Sequence, residues 1–85
     1  QKMEGISVYP NPVREVLTIS AQHGTADLLT IQVVDVFGKE VRNEVINSTS
    51  GNDFQLNVES LPQGIYLVKV SQSGRQPALL IMIKD

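Results

Sequence analysis

Cysteine and tryptophan are absent from this 85-residue chain, and histidine occurs once. Without cysteine, neither a disulfide nor a thiolate metal site can reinforce the fold, so burial and hydrogen bonding must hold it together. The same absence leaves the redox compartment open, because a cysteine-free chain suits a reducing cytosol and an oxidising exterior alike. Long hydrophobic runs are also missing. The longest, Ala78 to Ile83, falls far short of the roughly 20 residues of a membrane-spanning helix and reads as a strand. There is no run of lysines or arginines, aromatics make up 5% of residues and the net charge is −2, which together argue against nucleic acid as a partner. The opening residues, Gln1-Lys2-Met3-Glu4-Gly5, lack the apolar stretch of a secretory signal peptide, so export would require a signal further upstream. A first residue other than methionine points to a fragment of a longer protein or a processed product.

What is present is an ordinary apolar share, 41%, in a chain long enough for one domain. A domain of this size buries only about 60–65% of its unfolded surface, so its core is thin. Period-two alternation recurs along the chain, and no stretch sustains the three-and-four spacing of an amphipathic helix. Seven strands are predicted: Ile6 to Tyr9, Arg14 to Ser20, Leu28 to about Val36, Glu40 to about Ile46, Phe54 to Glu59, Ile65 to Ser71, and Pro77 to Lys84. Pro10 and Pro12 fix φ and cannot donate to a ladder, so Pro-Asn-Pro ends the first strand in a rigid corner. Near Asp35 the alternation loses phase, and Gly38 with the Asp35 carboxylate supplies a turn or bulge. In the fifth strand Phe54, Leu56 and Val58 face one way, while Gln55, Asn57 and Glu59 face the other. The expected fold is all-β, a seven-stranded antiparallel sandwich of two sheets, with residues 1–5 the end of a linker and 6–85 one compact unit without internal repeat.

Candidate chemistry is sparse. His23 stands in a predicted loop beside Gly24 with no nucleophile motif around it and reads as an exposed loop residue. Asp27, Asp35 and Asp53 do not follow the alternating spacing of a calcium loop, and they read as turn or solvated carboxylates. A glycosidase-type carboxylate pair needs a cleft, for which a thin sandwich offers little room. No glycine-rich phosphate loop is present, and no enzyme, metal or cofactor is expected. Tyr66, after Leu61-Pro62-Gln63-Gly64-Ile65, fits the tyrosine corner of sandwich folds, in which the hydroxyl bonds upstream backbone. The last strand is unusual: Ala78, Leu80 and Met82 fall on one face and Leu79, Ile81 and Ile83 on the other, so both faces are apolar. Such a strand is either central or covered, or else available for pairing or docking.

Three signatures stand in fixed order: Val8-Tyr9-Pro10-Asn11-Pro12, Asp35-Val36-Phe37-Gly38-Lys39 followed by Val41, and Leu61-Pro62-Gln63-Gly64-Ile65-Tyr66-Leu67-Val68-Lys69-Val70 leading into the apolar last strand and Lys84. Each alone is common turn chemistry, but in this order the set resembles the type A C-terminal sorting domain of the type IX (Por) secretion system of Bacteroidetes. The resemblance spans nearly the whole chain, and Pro10, Asn11, Pro12, Asp35, Gly38, Lys39, Leu61, Pro62, Gly64 and Tyr66 carry the motifs. It implies an Ig-like sandwich that directs an attached N-terminal cargo from the periplasm across the outer membrane to the cell surface or exterior. A sortase-like cysteine peptidase usually removes the domain afterwards, and the cargo is often joined to an anionic lipopolysaccharide. The domain would be an address label and a substrate, without catalytic residues. Leu79, Leu80, Ile81, Met82, Ile83 and Lys84 are the residues expected to meet the translocon, by strand addition with a charge at Lys84. One departure is Asp85, which follows Lys84 where the family commonly ends in a basic or β-branched run.

The competing reading is an Ig-like spacer or adhesion module that binds carbohydrate or protein through loops such as Gln22 to Asp27 and Asn47 to Asn52. Few aromatics are available to stack on sugars, which weakens it. A small hydrolase would need a nucleophile and base in contact, for which the sequence offers one loop histidine and no cysteine. A doubly apolar last strand also fits a dimer formed by edge pairing in the isolated domain.

Overall fold

Alternating burial gives most strands one dry face, and the computed structural model arranges those faces toward each other in two four-stranded sheets. It describes residues 2–3, 6–21, 28–47, 53–72 and 76–85. The strands are β1 (Lys2–Met3), β2 (Ile6–Tyr9), β3 (Val16–Ala21), β4 (Leu28–Val34), β5 (Glu40–Asn47), β6 (Phe54–Asn57), β7 (Gly64–Gln72) and β8 (Ala78–Lys84). One sheet has the order β1-β2-β3-β6 and the other β5-β4-β7-β8, with every neighbouring pair antiparallel. All seven anticipated strands are present, and the two-residue β1 joins them by pairing along β2. Their ends move slightly: β3 starts at Val16, β4 stops at Val34 and β6 stops at Asn57.

The core lies between the sheets. Ile6, Val8, Leu17, Ile19 and Leu56 point inward from the first sheet, and Leu29, Ile31, Val33, Tyr66, Val68, Val70, Ala78, Leu80 and Met82 from the second. Registers such as Val8 opposite Ile19 and Val68 opposite Leu80 stack these side chains in rows across the strands. At the phase break expected near Asp35 the chain turns through Asp35–Lys39, and beside it the β4–β5 register shifts between Val33 and Val34, Val34 pairing with Glu40 and Val41 being passed over.

Two connections close the sandwich along its open sides. On the β5 side, Arg42 donates from Nε to the Asn57 carbonyl oxygen at 3.3 Å and from a terminal nitrogen to Ser60 Oγ at 2.7 Å, so a strand of one sheet grips the end of β6 in the other. On the β8 side, the segment after β2 leaves its own sheet. Val13, fully buried, forms an isolated parallel bridge with Lys84.

β8 has a sharp division of labour, with Leu80 and Met82 fully buried and Leu79 and Ile81 46% and 40% exposed. Leu80→Ala is therefore expected to cost about 2–5 kcal/mol through lost burial and a cavity. Leu79→Ala, one residue away, should stay within about 1 kcal/mol. Urea unfolding of the two variants measures the contrast, and equal losses would contradict the assigned sidedness.

Candidate functional site

Strand register gathers the three signatures at one end of the sandwich. Gly64 begins β7 opposite Lys84 at the end of β8, Lys84 lies beside Val13, and Val34, at the end of β4, lies opposite Leu67. The Pro10–Pro12 corner, the Asp35–Lys39 turn and the Leu61–Tyr66 corner consequently sit around the same pole.

Each signature is built by local hydrogen bonding. In the turn, Asp35 Oδ1 accepts from the backbone N–H groups of Phe37 and Lys39, both at 2.9 Å, while the Gly38 N–H donates to the Asp35 carbonyl at 3.0 Å. Gly38 takes φ +82°, a conformation that side-chain-bearing residues adopt only with strain. The Asp35 carboxylate is thus consumed in holding the turn, whose tip displays Val36 and Phe37, the latter 91% exposed. In the corner, Leu61 is buried and its N–H donates to the Val58 carbonyl at 3.0 Å. The buried Tyr66 donates its hydroxyl to the Pro62 carbonyl oxygen at 2.6 Å, the geometry of a tyrosine corner.

The first signature, Pro10-Asn11-Pro12, holds β8. The Asn11 side-chain amide donates to the Ile81 carbonyl at 3.1 Å and accepts from the Ile83 N–H at 2.8 Å. Val13 then donates to the Ile83 carbonyl and accepts from the Asp85 N–H, both at 2.8 Å. Arg14 adds an exposed contact from Nε to Asp85 Oδ2 at 3.4 Å, which contributes little in solvent.

These bonds occupy part of the edge on which strand addition along Leu79 to Ile83 was expected. The outward backbone groups of β8 from the Ile81 carbonyl to the Asp85 N–H are already bonded to Asn11 and Val13. Of the six residues expected to meet a partner, Leu80, Met82 and Lys84 are also unavailable, because the period of two turns them inward with Ala78. Lys84 is only 7% exposed, and its ammonium donates to the Asp85 carbonyl at 3.2 Å instead of presenting a charge. Leu79, Ile81 and Ile83 remain on the outer face. They pair across the sheet with Lys69, Leu67 and Ile65, and Ile65 is itself 56% exposed. The result is a contiguous aliphatic surface beside the signature-bearing pole.

The expectation that the domain has little room for a cleft also needs amendment. An open hollow of about 440 Å³ is lined by Pro10, Pro12, Arg14, Glu15, Val16 and Asp85. A second, of about 270 Å³, lies between the Asp35–Phe37 turn and Pro62–Tyr66. The second is walled mainly by aliphatic and aromatic groups, with Asp35 engaged in its turn, whereas the first sets Arg14, Glu15 and Asp85 beside Pro10, Pro12 and Val16, with Asp85 against Arg14. Asp53 accepts the Tyr9 hydroxyl at 3.0 Å across the outer face of the first sheet. His23, Asp27 and most of the two loops considered as binding sites lie outside the described residues.

Sequence reasoning missed Val13 and Arg42. Val13 follows a proline and belongs to no run of alternation, so only its position after Asn11 marks it. Arg42 looks like an ordinary outward charge on β5, and nothing local reveals that its guanidinium reaches the other sheet.

Comparison with known proteins bears on this geometry at two levels. The family model described as the secretion system C-terminal sorting domain matches residues 7–84. No curated protein matches the chain in sequence. Among solved structures, a DUF3244-family protein with an immunoglobulin-like β-sandwich fold from Bacteroides vulgatus ATCC 8482 superposes with a TM-score of 0.79 at 17% identity, covering 95% of this chain and 84% of that one. That likeness establishes the immunoglobulin-like sandwich and nothing about binding.

The Tyr9–Asp53 contact gives a pH-dependent signature. Hydrogen bonding to the Asp53 carboxylate, some desolvation and the carboxylate's charge raise the Tyr9 phenol above its ordinary value of 10.0. The folded state therefore holds this proton more tightly than the unfolded chain, and the resulting stabilisation is present below pH 10 and is lost as pH rises through the raised value. Tyr9 ring shifts followed by NMR should titrate above pH 10 and move back toward it in Asp53→Asn. Identical titrations in the two proteins would contradict the contact.

Proposed function

We propose, from the premise that this chain belongs to the secretion system C-terminal sorting domain family, that the type IX machinery reads the domain through the outer face of β7 and β8. The sorting role follows from the family: the domain is a type IX secretion signal for a cargo that becomes secreted or surface-bound. The finer reading assigns recognition to Leu79, Ile81 and Ile83, with Ile65 and Leu67 completing the surface.

One observation carries this reading. A domain with a thin core leaves Leu79, Ile81, Ile83 and Ile65 40–56% exposed side by side on one face, although burial is what stabilises it. A contiguous exposed apolar surface of this kind marks an interaction site more often than an accident of packing. The strand beneath is held on both edges, by β7 and by Asn11 and Val13, so the surface is ordered before a partner arrives and little conformational entropy is lost on docking.

On this reading residues 6–85 form the sorting unit and residues 1–5 are the approach from the cargo, of which Lys2 and Met3 pair with β2. The cargo passes through the periplasm with the domain attached, and a sortase-like peptidase of the secretion machinery removes the domain after export. The domain acts as label and substrate without catalysis of its own, which fits carboxylates committed to a turn, to Tyr9 and to Arg14.

The test is a fluorescent passenger fused to the domain in a bacterium with a working type IX system, comparing the native sequence with Leu79→Thr, Ile81→Thr and Ile83→Thr combined. Threonine keeps strand propensity and removes apolar contact. Surface appearance is expected to fall about tenfold or more, since each lost docking contact weakens binding by roughly 1 kcal/mol. Val45→Thr, on the exposed far strand of the same sheet, should leave export unchanged. A folded triple variant exported like the native domain would overturn the assignment.

A further inference from the structure

We infer that residues 10–13 are a proline-edged cap that closes the outer edge of β8 against a second copy of this chain, with the Asn11 side chain standing in for a strand residue. An uncapped β8 would be a hazard: the stretch from Ala78 to Ile83 contains no charge and no proline, both faces are apolar, and it lies at the edge of its sheet. Natural sheets guard such edges because a row of open N–H and C=O groups templates pairing with another chain.

The pattern of bonds is that of a parallel ladder continued for two steps. In the first, Val13 donates to the carbonyl of Ile83 and accepts from the N–H of Asp85, bracketing Lys84 as a parallel neighbour does. Two residues earlier, Asn11 repeats the pattern around Met82, donating to the Ile81 carbonyl and accepting from the Ile83 N–H. Here the donor and acceptor belong to the side-chain amide, which carries the same N–H and C=O pair as a peptide group. Asparagine thereby extends the ladder where the flanking prolines prevent the backbone from doing so.

The prolines supply the other half of the device. Pro10 and Pro12 have no N–H to offer a further strand. The cap thus satisfies the C-terminal half of the β8 edge, from the Ile81 carbonyl to the Asp85 N–H. It also explains why an aliphatic strand can keep its outer face exposed for docking without joining a neighbouring molecule through its backbone.

The test uses the whole chain with Asn11→Ala and Asn11→Asp, read by amide hydrogen exchange in NMR and by sedimentation over a range of concentrations. The native domain is expected to be monomeric. Asn11→Ala should speed exchange at the Ile83 amide about tenfold, the equivalent of one lost hydrogen bond, while the Met82 amide, turned toward β7, stays protected. The same variant should form a concentration-dependent dimer whose intermolecular contacts map to β8. Asn11→Asp keeps an acceptor for the Ile83 N–H but loses the donor to Ile81, so it should retain Ile83 protection; it also supplies the readout if the alanine variant does not fold. Unchanged Ile83 exchange in Asn11→Ala, lost Ile83 protection in Asn11→Asp, an alanine variant that opens yet stays monomeric, or a native domain that already pairs through β8 would each overturn the proposal.

Discussion

The hydrogen bonds from Asn11 and Val13 to the outer edge of β8 are the constraint on which this end of the molecule depends. The chain between β2 and β3 could have turned back within its own sheet, but it crosses to the opposite sheet and buries Val13 there. With Arg42 gripping the end of β6 on the other side, both open sides of the sandwich are tied. A cysteine-free core of this size has few other means of holding two sheets in register. The crossing also fixes where the signatures meet, since Val13 beside Lys84 and Gly64 opposite Lys84 place the first and third at one pole.

From that closure follows the form in which the domain can be recognised. Backbone pairing along the last strand is blocked between Ile81 and Asp85, and Leu80, Met82 and Lys84 are committed to the interior. On the proposed reading a partner meets side chains: the outer row of β8, the facing row of β7 and the exposed Phe37 at the nearby turn. A sorting label has to work on cargoes of unrelated sequence. A rigid aliphatic face belonging wholly to the label meets that need, because its geometry does not depend on what is attached.

The strands were legible in the sequence because a half-buried strand writes its burial into alternation. Phe54-Gln55-Leu56-Asn57 and Ile31-Gln32-Val33 show this directly, and the loss of phase around Asp35 marked the turn. The tyrosine corner was legible too, since Leu61-Pro62-Gln63-Gly64-Ile65-Tyr66 places a hydroxyl four residues from a carbonyl it can reach. β8 was not, because a strand apolar on both faces carries no mark of which side is dry. Only pairing with β7 decides it, and the same register draws Lys84 inward, where its charge had suggested display. The Asn11 cap was hidden for a different reason: its partners lie about seventy residues away, and the Pro-Asn-Pro signature describes a corner without saying what the corner holds.

The account stands most directly on whether the folded domain is itself sufficient as a type IX address. The decisive measurement is the location of a fluorescent passenger carrying residues 1–85, in a bacterium with a working type IX system and in the same strain lacking it. Passenger is expected at the cell surface or in the medium only when domain and system are both present. A passenger that stays in the periplasm with the domain folded, in the strain whose system works, would contradict it.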